Sequence, residues 1–464
     1  MSKKILYVYA PAGPPLDYCF PKIAARGKVH TVIVSPPSAS NLEILRRHSC
    51  ALYDYSAVSP QQAMQQVRTL AQQIRPDAIF TFSEFLLKSV AELAAQFELR
   101  TVGPNLELGR NKILMRECWQ AAGIPQPAFR AIRTKQEVGR VAELQFPVLV
   151  KLAYGAGSIG QQIVRDMDEL PGAIVRLIAA TENARKAGKH EFSEHSGFPQ
   201  LIAEEIIQSS TESWYEEEGY GDYLSVEGLV RDGKYYPLAM TGRLRTIPPF
   251  TELGNVAPCV LIPDKKQKIV ALIARAIDAL GFQNCATHTE LKLMTDGQVS
   301  FLETAARMGG VAIAKELDAV FGLDYVDLFL SIILGEAADI PAFEHNPVRC
   351  AAASVALIAC DSHGMPWQST RNFEPEQVNW SELLGNLAQV NIEYAQSITP
   401  GNPIAPYDIS GGLMNYAGQA FLTSSTPDRL KRAAYLMLNG LEQCLPLVSE
   451  GLSPHFLRIE NPDE

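Results

Sequence analysis

The residues best placed to do chemistry lie in two acidic strands near position 300. Asn284 to Met294 and Gln298 to Glu303 are strand-like runs flanking Asp296-Gly297, a strong signal for a tight hairpin turn. If Thr295 pairs with Gln298, Leu293 faces Ser300, Leu291 faces Leu302 and Glu290 faces Glu303. A four-residue loop keeps that register, whereas a three- or five-residue loop breaks it. Opposed Cβ atoms on antiparallel strands sit roughly 4.5–5.5 Å apart, so two like charges destabilise the hairpin unless something compensates. A divalent cation does so, because hard cations take carboxylate oxygens. A slipped register with both acids at a solvated edge is the alternative. Strand alternation puts His288, Glu290 and Lys292 on one face, with His288 better suited to hydrogen-bonding a metal ligand than to binding metal itself. Arg307 follows Glu303 by four residues, a spacing that on a turn or helix sets the guanidinium beside the carboxylate. A guanidinium there suits the oxygens of a transferring phosphoryl group; a plain local salt bridge is the competing reading.

A second group of residues suits phosphate. Phe146 to Lys151 is a buried-strand pattern running into Gly155-Ala156-Gly157-Ser158-Ile159-Gly160, whose backbone N–H groups can cradle phosphates. The loop is neither a Walker A sequence nor a full G-x-G-x-x-G. Lys151 ends the strand, and Lys112, in Arg110-Asn111-Lys112, is a second candidate cation, with a solvated helix start as its alternative. Ala203-Glu204-Glu205-Ile206-Ile207 is an apolar strand carrying two acids. It can hold an adenine by backbone groups or be a plain edge strand.

These residues need a scaffold. Lys4 to Tyr9, His30 to Val34 and Ala78 to Phe82 are strand-like and alternate with helical patterns at Pro60 to Gln73 and Leu86 to Gln96. That alternation predicts a doubly wound parallel sheet, with ligands beyond the carboxyl ends of its strands, where Ser83-Glu84 falls. A helix N-cap with an acidic first turn is the other reading of that pair. Thr101 to Asn105 marks a boundary; a helix from Lys112 to Ala122 stops at Gly123. Leu201 to Glu303 is strand-rich, and the chain closes with strands Gly412 to Ala417 and Gln419 to Thr423 and helix Pro427 to Asn439. The expected division is a Rossmann-like domain over 1–104, a central domain over 105–340 with a lid over about 125–205, and a mixed C-terminal domain over 341–464.

Taken in order, Lys112, Lys151 with the glycine loop, the Glu204-Glu205 strand, the Asp222 to Glu227 strand, and Glu290 with Glu303 and Arg307 resemble the ATP-grasp superfamily over essentially the whole chain. More narrowly, Trp214 to Tyr223 and Gln283 to Met294 resemble the L-amino-acid ligases of the bacilysin-synthetase type, which join two free amino acids into a dipeptide. The resemblance implies an ATP-grasp fold of α/β class with an α+β lid. It also implies that Lys112 and Lys151 hold ATP phosphates beneath a loop containing Gly157 and Ser158. Glu204, Glu205 and Ile207 would lie at the adenine, with Glu227 also on the nucleotide side. Glu290 and Glu303 would carry Mg2+, usually two ions, with Mn2+ as a substitute. Arg307 would stabilise the phosphoryl group and the tetrahedral adduct. Glu252, a candidate base, and Asn255 would lie near the amino-acid pocket, with Ser83, Glu84, His288, Gly310 and Val311 also on the substrate side. Three positions depart from the relatives: Ala305 replaces a frequent metal-binding Asn, Asn255 a His, and Val311 a Trp that crowds the donor pocket. An isopropyl group in place of an indole opens space, so the expected donor side chain is larger than that of alanine.

Composition sets the remaining bounds. With 464 residues the chain exceeds one ordinary core. The apolar fraction is 47% and the charged fraction 20%, those of an ordinary globular protein. A net charge of −10 with no basic run argues against a nucleic-acid partner. No apolar window reaches the ~18 residues of a membrane span. Eight cysteines without a Cys-x-x-Cys pair suit free buried thiols in a reducing cytoplasm. The partners implied are small-molecule amino acids. Oligomeric state stays open, a homodimer being one option. The rival functions are another ATP-grasp carboxylate–amine ligase or carboxylase, and a non-catalytic ATP-binding regulator.

Overall fold

The structure is a computed structural model and describes residues 2–186, 198–345 and 347–448. Residues 187–197 of the expected lid and 449–464 of the expected C-terminal domain lie outside the described residues.

Strands apolar on both faces must be covered on both faces, and the N-terminal sheet shows this. Its order is Ala51–Asp54, Gly27–Ile33, Lys3–Tyr9, Ala78–Phe80, with every pair parallel. Alternate residues of Lys3–Tyr9 enter different cores. Ile5, Tyr7 and Tyr9 pack with Phe20 and Ile23 of helix Leu16–Arg26, whereas Leu6 and Val8 pack with Val67 and Leu70 of helix Pro60–Ile74. The expected doubly wound parallel sheet is present. Its carboxyl ends deliver residues 10–14 and 83–84 to one side of the molecule.

Antiparallel pairing dominates the rest. An eight-stranded sheet runs in the order Val299–Ala305, Cys285–Leu293, Tyr223–Arg231, Lys234–Arg243, Gly254–Ala257, Ala351–Ile358, Tyr416–Ser424, Gln389–Ile392. It passes without a break from strands before residue 340 to strands after it. A separate four-stranded antiparallel sheet, in the order Phe129–Ile132, Leu201–Glu205, Val148–Leu152, Gln162–Val164, carries helix Leu170–Lys186 on its own small core. The two closing strands expected near 412–423 are instead one strand, Tyr416–Ser424, preceded by a 3-10 turn over Gly412–Asn415. A left-handed φ of 51° at Gly412 ends the extended run that the sequence pattern suggested. No described helix is long and apolar enough to cross a membrane. All eight cysteines are free, though only Cys19, Cys259, Cys285 and Cys360 are buried.

Candidate active site

The hairpin brings Glu290 opposite Glu303, but not by the expected route. The turn is a three-residue loop closed by Met294 N–H donating to the Gln298 carbonyl at 2.9 Å. Leu293 therefore faces Val299 and Leu291 faces Phe301, one residue off the expected register. A bulge at Leu302, between the Leu291 and Glu290 pairs, takes up the extra residue and restores the opposition at the acids. Glu290 Oε1 accepts from Tyr223 Oη at 2.7 Å and meets His288 Nε2 at 2.9 Å. Glu303 Oε2 pairs with Lys112 Nζ at 2.9 Å. The other oxygen of each acid takes no partner among the described residues.

Lys112 is positioned by its helix. Asn111 caps helix Lys112–Ala121, its Oδ1 accepting from Ile113 N and Leu114 N. Only 9% of Lys112 is exposed, so it is no solvated helix start; its Nζ also donates to the Gly155 carbonyl at 2.8 Å. The glycine loop is bent by left-handed φ angles at Gly157, Ser158 and Gly160. It rests on a C-terminal turn, with Leu413 N donating to the Gly157 carbonyl at 3.0 Å and Gly160 N to the Ser410 carbonyl at 3.1 Å. Beneath it, Glu204 receives Lys151 Nζ at 2.7 Å and Arg116 Nε at 2.8 Å. Burial alone would raise the Glu204 carboxyl, but the two cations outweigh it and hold it at about 2. Burial, with Arg116 and Lys112 nearby, pushes the Lys151 ammonium down. Two cations against one carboxylate leave an excess of positive charge here, which suits a polyphosphate.

Arg307 does not pair with Glu303 as its spacing suggests. Its Nε pairs with Glu84, which also pairs with Arg110. Glu84 does open a 3-10 turn after Ser83, as the N-cap reading expects, but it is 4% exposed and tied to two arginines, and Ser83 donates Oγ to the Pro11 carbonyl at 2.9 Å and makes no cap bond.

The site residues expected from the sequence line one cleft of about 500 Å³, apart from Ser83, Gly160, Glu227 and Ala305. Glu227 is fully buried behind His288, receiving Nδ1 at 2.6 Å and Gly309 N at 3.2 Å. Burial would lower the His288 imidazole; the Glu227 and Glu290 carboxylates outweigh it and lift it to about 10. Burial would likewise raise Glu290, and His288, Arg243 and Tyr223 together draw it to about 2. Glu252 is pushed up, chiefly by burial and against the pull of Arg243. Val311 holds a left-handed φ of 59°, a strained conformation for a β-branched residue, and Gly310 precedes it on the cleft wall.

Sequence reading missed Tyr223 and Arg243. Tyr223 Oη lies between two carboxyls, 2.7 Å from Glu290 and 3.0 Å from Glu252, with one hydrogen to give, and Arg243, 1% exposed, pairs with Glu252 at 3.3 Å. The available signal was a lone arginine in the apolar run Leu238 to Leu244, since arginine is seldom fully buried unless paired. Arg116, the second cation on Glu204, was also missed.

Comparison with known proteins places this cleft in a family. Residues 144–315 match the ATP-grasp domain model. The alanine–anticapsin ligase of Bacillus subtilis strain 168 is 32% identical over 286 residues, 61% of this chain; the chain thus spans 59% of that relative's length. The Bacillus amyloliquefaciens alanine–anticapsin ligase is 32% identical over 372 residues, 76% of this chain and 77% of its own. Among solved structures, the L-amino acid ligase of Bacillus licheniformis superposes with a TM-score of 0.71 at 21% identity, covering 97% of this chain and 99% of its own. The biotin carboxylase domain of the Hydrogenobacter thermophilus 2-oxoglutarate carboxylase, solved with MgADP and bicarbonate, gives a TM-score of 0.65 at 19% identity over 93% of this chain and 89% of its own. With more than two thirds of the B. amyloliquefaciens protein matched at this identity, the chain belongs to the ATP-grasp superfamily and, within it, to the family of the alanine–anticapsin ligases.

Proposed function

We propose that this chain is an ATP-dependent L-amino-acid ligase that forms a dipeptide from two free amino acids through an aminoacyl phosphate, releasing ADP and phosphate. The observation that carries it is the meeting of Lys112, Lys151, the Gly155 to Gly160 loop, Glu290, Glu303 and Arg307 in one cleft. The adenine lies along Glu204 to Ile207. Lys112 and Lys151 hold the phosphates, with the glycine loop as cover. Glu290 and Glu303 each keep one carboxylate oxygen without a partner, which fits Mg2+: the ion is ordinarily held by one or two carboxylates, the remaining positions going to phosphate oxygens and water. Among the described residues no cluster of three His, Cys, Asp or Glu groups is arranged to hold a metal by itself. Bound there, magnesium supplies charge neutralisation on the transferring phosphoryl group.

The donor's carboxylate oxygen attacks the γ-phosphorus and ADP departs; the acceptor's amine nitrogen then attacks the acyl carbon and phosphate departs. Arg307, fixed by Glu84, faces the phosphoryl oxygens. Glu252, whose carboxyl burial pushes up and so makes the carboxylate a stronger base, is the candidate to take the amine's proton. Val311 and Gly310 border the donor side chain. The test is ADP release from ATP across a panel of amino-acid pairs. Release that needs two amino acids and yields their dipeptide supports the reading. Release driven by bicarbonate with no amine, or none with any pair, overturns it.

A further inference from the structure

Asn255 lies on strand Gly254–Ala257, opposite Arg243 on one neighbouring strand and Ser354 on the other. Its Nδ2 donates to Ser354 Oγ at 3.1 Å, and Ser354 Oγ donates to Glu316 Oε1 at 2.6 Å. Glu316, on helix Ile313–Phe321, is fully buried and does not line the cleft. A serine hydroxyl has one hydrogen. Given to Glu316 in its carboxylate form, it leaves Ser354 only as an acceptor toward Asn255, and only the NH2 end of a carboxamide can donate. The sense of the chain therefore turns the Asn255 oxygen toward the cleft, where it takes no partner among the described residues. A second acceptor, the Glu252 carboxylate, lines the same cleft. Two acceptors so placed match N–H groups better than a carboxylate.

Glu316 needs an explanation of its own. Its Oε2 is buried without a partner, and burial pushes the carboxyl up to about 7. An apolar side chain of similar volume would be tolerated better in that position.

We propose that Glu316 is a positioning residue which, through Ser354, fixes the Asn255 carboxamide with its oxygen toward the cleft, where it accepts an N–H of the attacking amine. This deepens the ligase reading and rests on it.

The kinetic test uses the full chain with the amino-acid pair that gives the fastest ADP release. It records KM for the amine acceptor, KM for ATP, and hydroxamate formation when hydroxylamine intercepts the activated donor. Glu316→Leu and Ser354→Ala should each raise acceptor KM about tenfold while ATP KM and hydroxamate yield stay within about twofold. Glu316→Gln, which can still offer Ser354 an oxygen, should restore acceptor KM. Asn255→Asp keeps an oxygen but loses the NH2 that Ser354 accepts, so it should raise acceptor KM as well. An unchanged acceptor KM in Asn255→Asp, or equal losses in both half-reactions for Glu316→Leu, overturns the proposal. A measurement independent of turnover uses protein labelled with 15N-asparagine. The side-chain NH2 signal that vanishes in Asn255→Asp should exchange slowly with solvent in the parent and faster in Glu316→Leu. Equal exchange overturns the orientation, whereas the expected exchange with no turnover for any pair would instead remove the ligase reading.

Discussion

Replacing Gly157 by alanine tests whether the glycine loop seats on the C-terminal turn during nucleotide binding. Gly157 has φ of +65°, and an added Cβ would lie 1.6 Å from Leu413 Cδ2 and 2.6 Å from its Cγ. Two costs add. The left-handed backbone costs a non-glycine residue roughly 1–2 kcal/mol. Pushing the Leu413 side chain aside costs about 1–3 kcal/mol in overpacking. Together, about 2–5 kcal/mol is set against the seated loop, and each ~1.4 kcal/mol is a factor of ten. If the seated loop covers the phosphates, MgATP should bind at least about tenfold more weakly to Gly157→Ala, as measured by titration calorimetry on the full chain. Adding Leu413→Ala removes the collision but not the backbone strain, so the double variant should recover part of the loss. Nucleotide affinity within twofold of the parent in Gly157→Ala, or no recovery in the double variant, would refute the reasoning.

Three further outcomes follow from the cleft. Glu303→Ala should lower ADP release roughly a thousandfold while far-UV circular dichroism stays unchanged, since the loss of one open carboxylate oxygen removes several kcal/mol of phosphoryl charge stabilisation; full activity would remove Glu303 from the metal site. Glu204→Gln strips two buried cations of their anion and should destabilise the fold by about 3–5 kcal/mol in urea unfolding. The Glu204 carboxyl sits at about 2 in the fold against an ordinary 4.5, so its stabilisation is complete above about pH 5 and is lost as pH falls through that window toward 2. Unfolding curves of parent and Glu204→Gln should therefore converge on acidification, and a constant gap down to pH 2 would refute the assignment. Val311→Trp should shift donor preference toward smaller side chains in an amino-acid panel, and an unchanged preference would sink the account of that wall.

What the sequence disclosed depended on how local each determinant is. The parallel sheet was legible because strands covered on both faces carry unbroken apolar runs. Helix Leu16–Arg26 was not, since Pro15 and the interior Pro21 read as breakers, yet burial of Leu16, Cys19, Phe20 and Ile23 carries it. Glu290 and Glu303 were paired correctly although the turn was not: a three-residue loop and the bulge at Leu302 shift the register in opposite directions and cancel.

The partners of the charged groups were the least legible, and Arg307 shows why. Its position four residues after Glu303 invites a local ion pair, worth only about 0.3–0.5 kcal/mol. Glu84 lies 223 residues away in sequence and keeps 4% of its surface exposed. A carboxylate so buried costs several kcal/mol unless cations meet it, far more than the local pair could return. The same imbalance assigns Lys151 and Arg116 to Glu204, whereas in the Arg243–Glu252 pair it is the arginine that is buried. Spacing along the chain thus locates the groups able to do chemistry. The desolvation cost of each buried acid, which depends on the whole fold, decides which cation stands beside it.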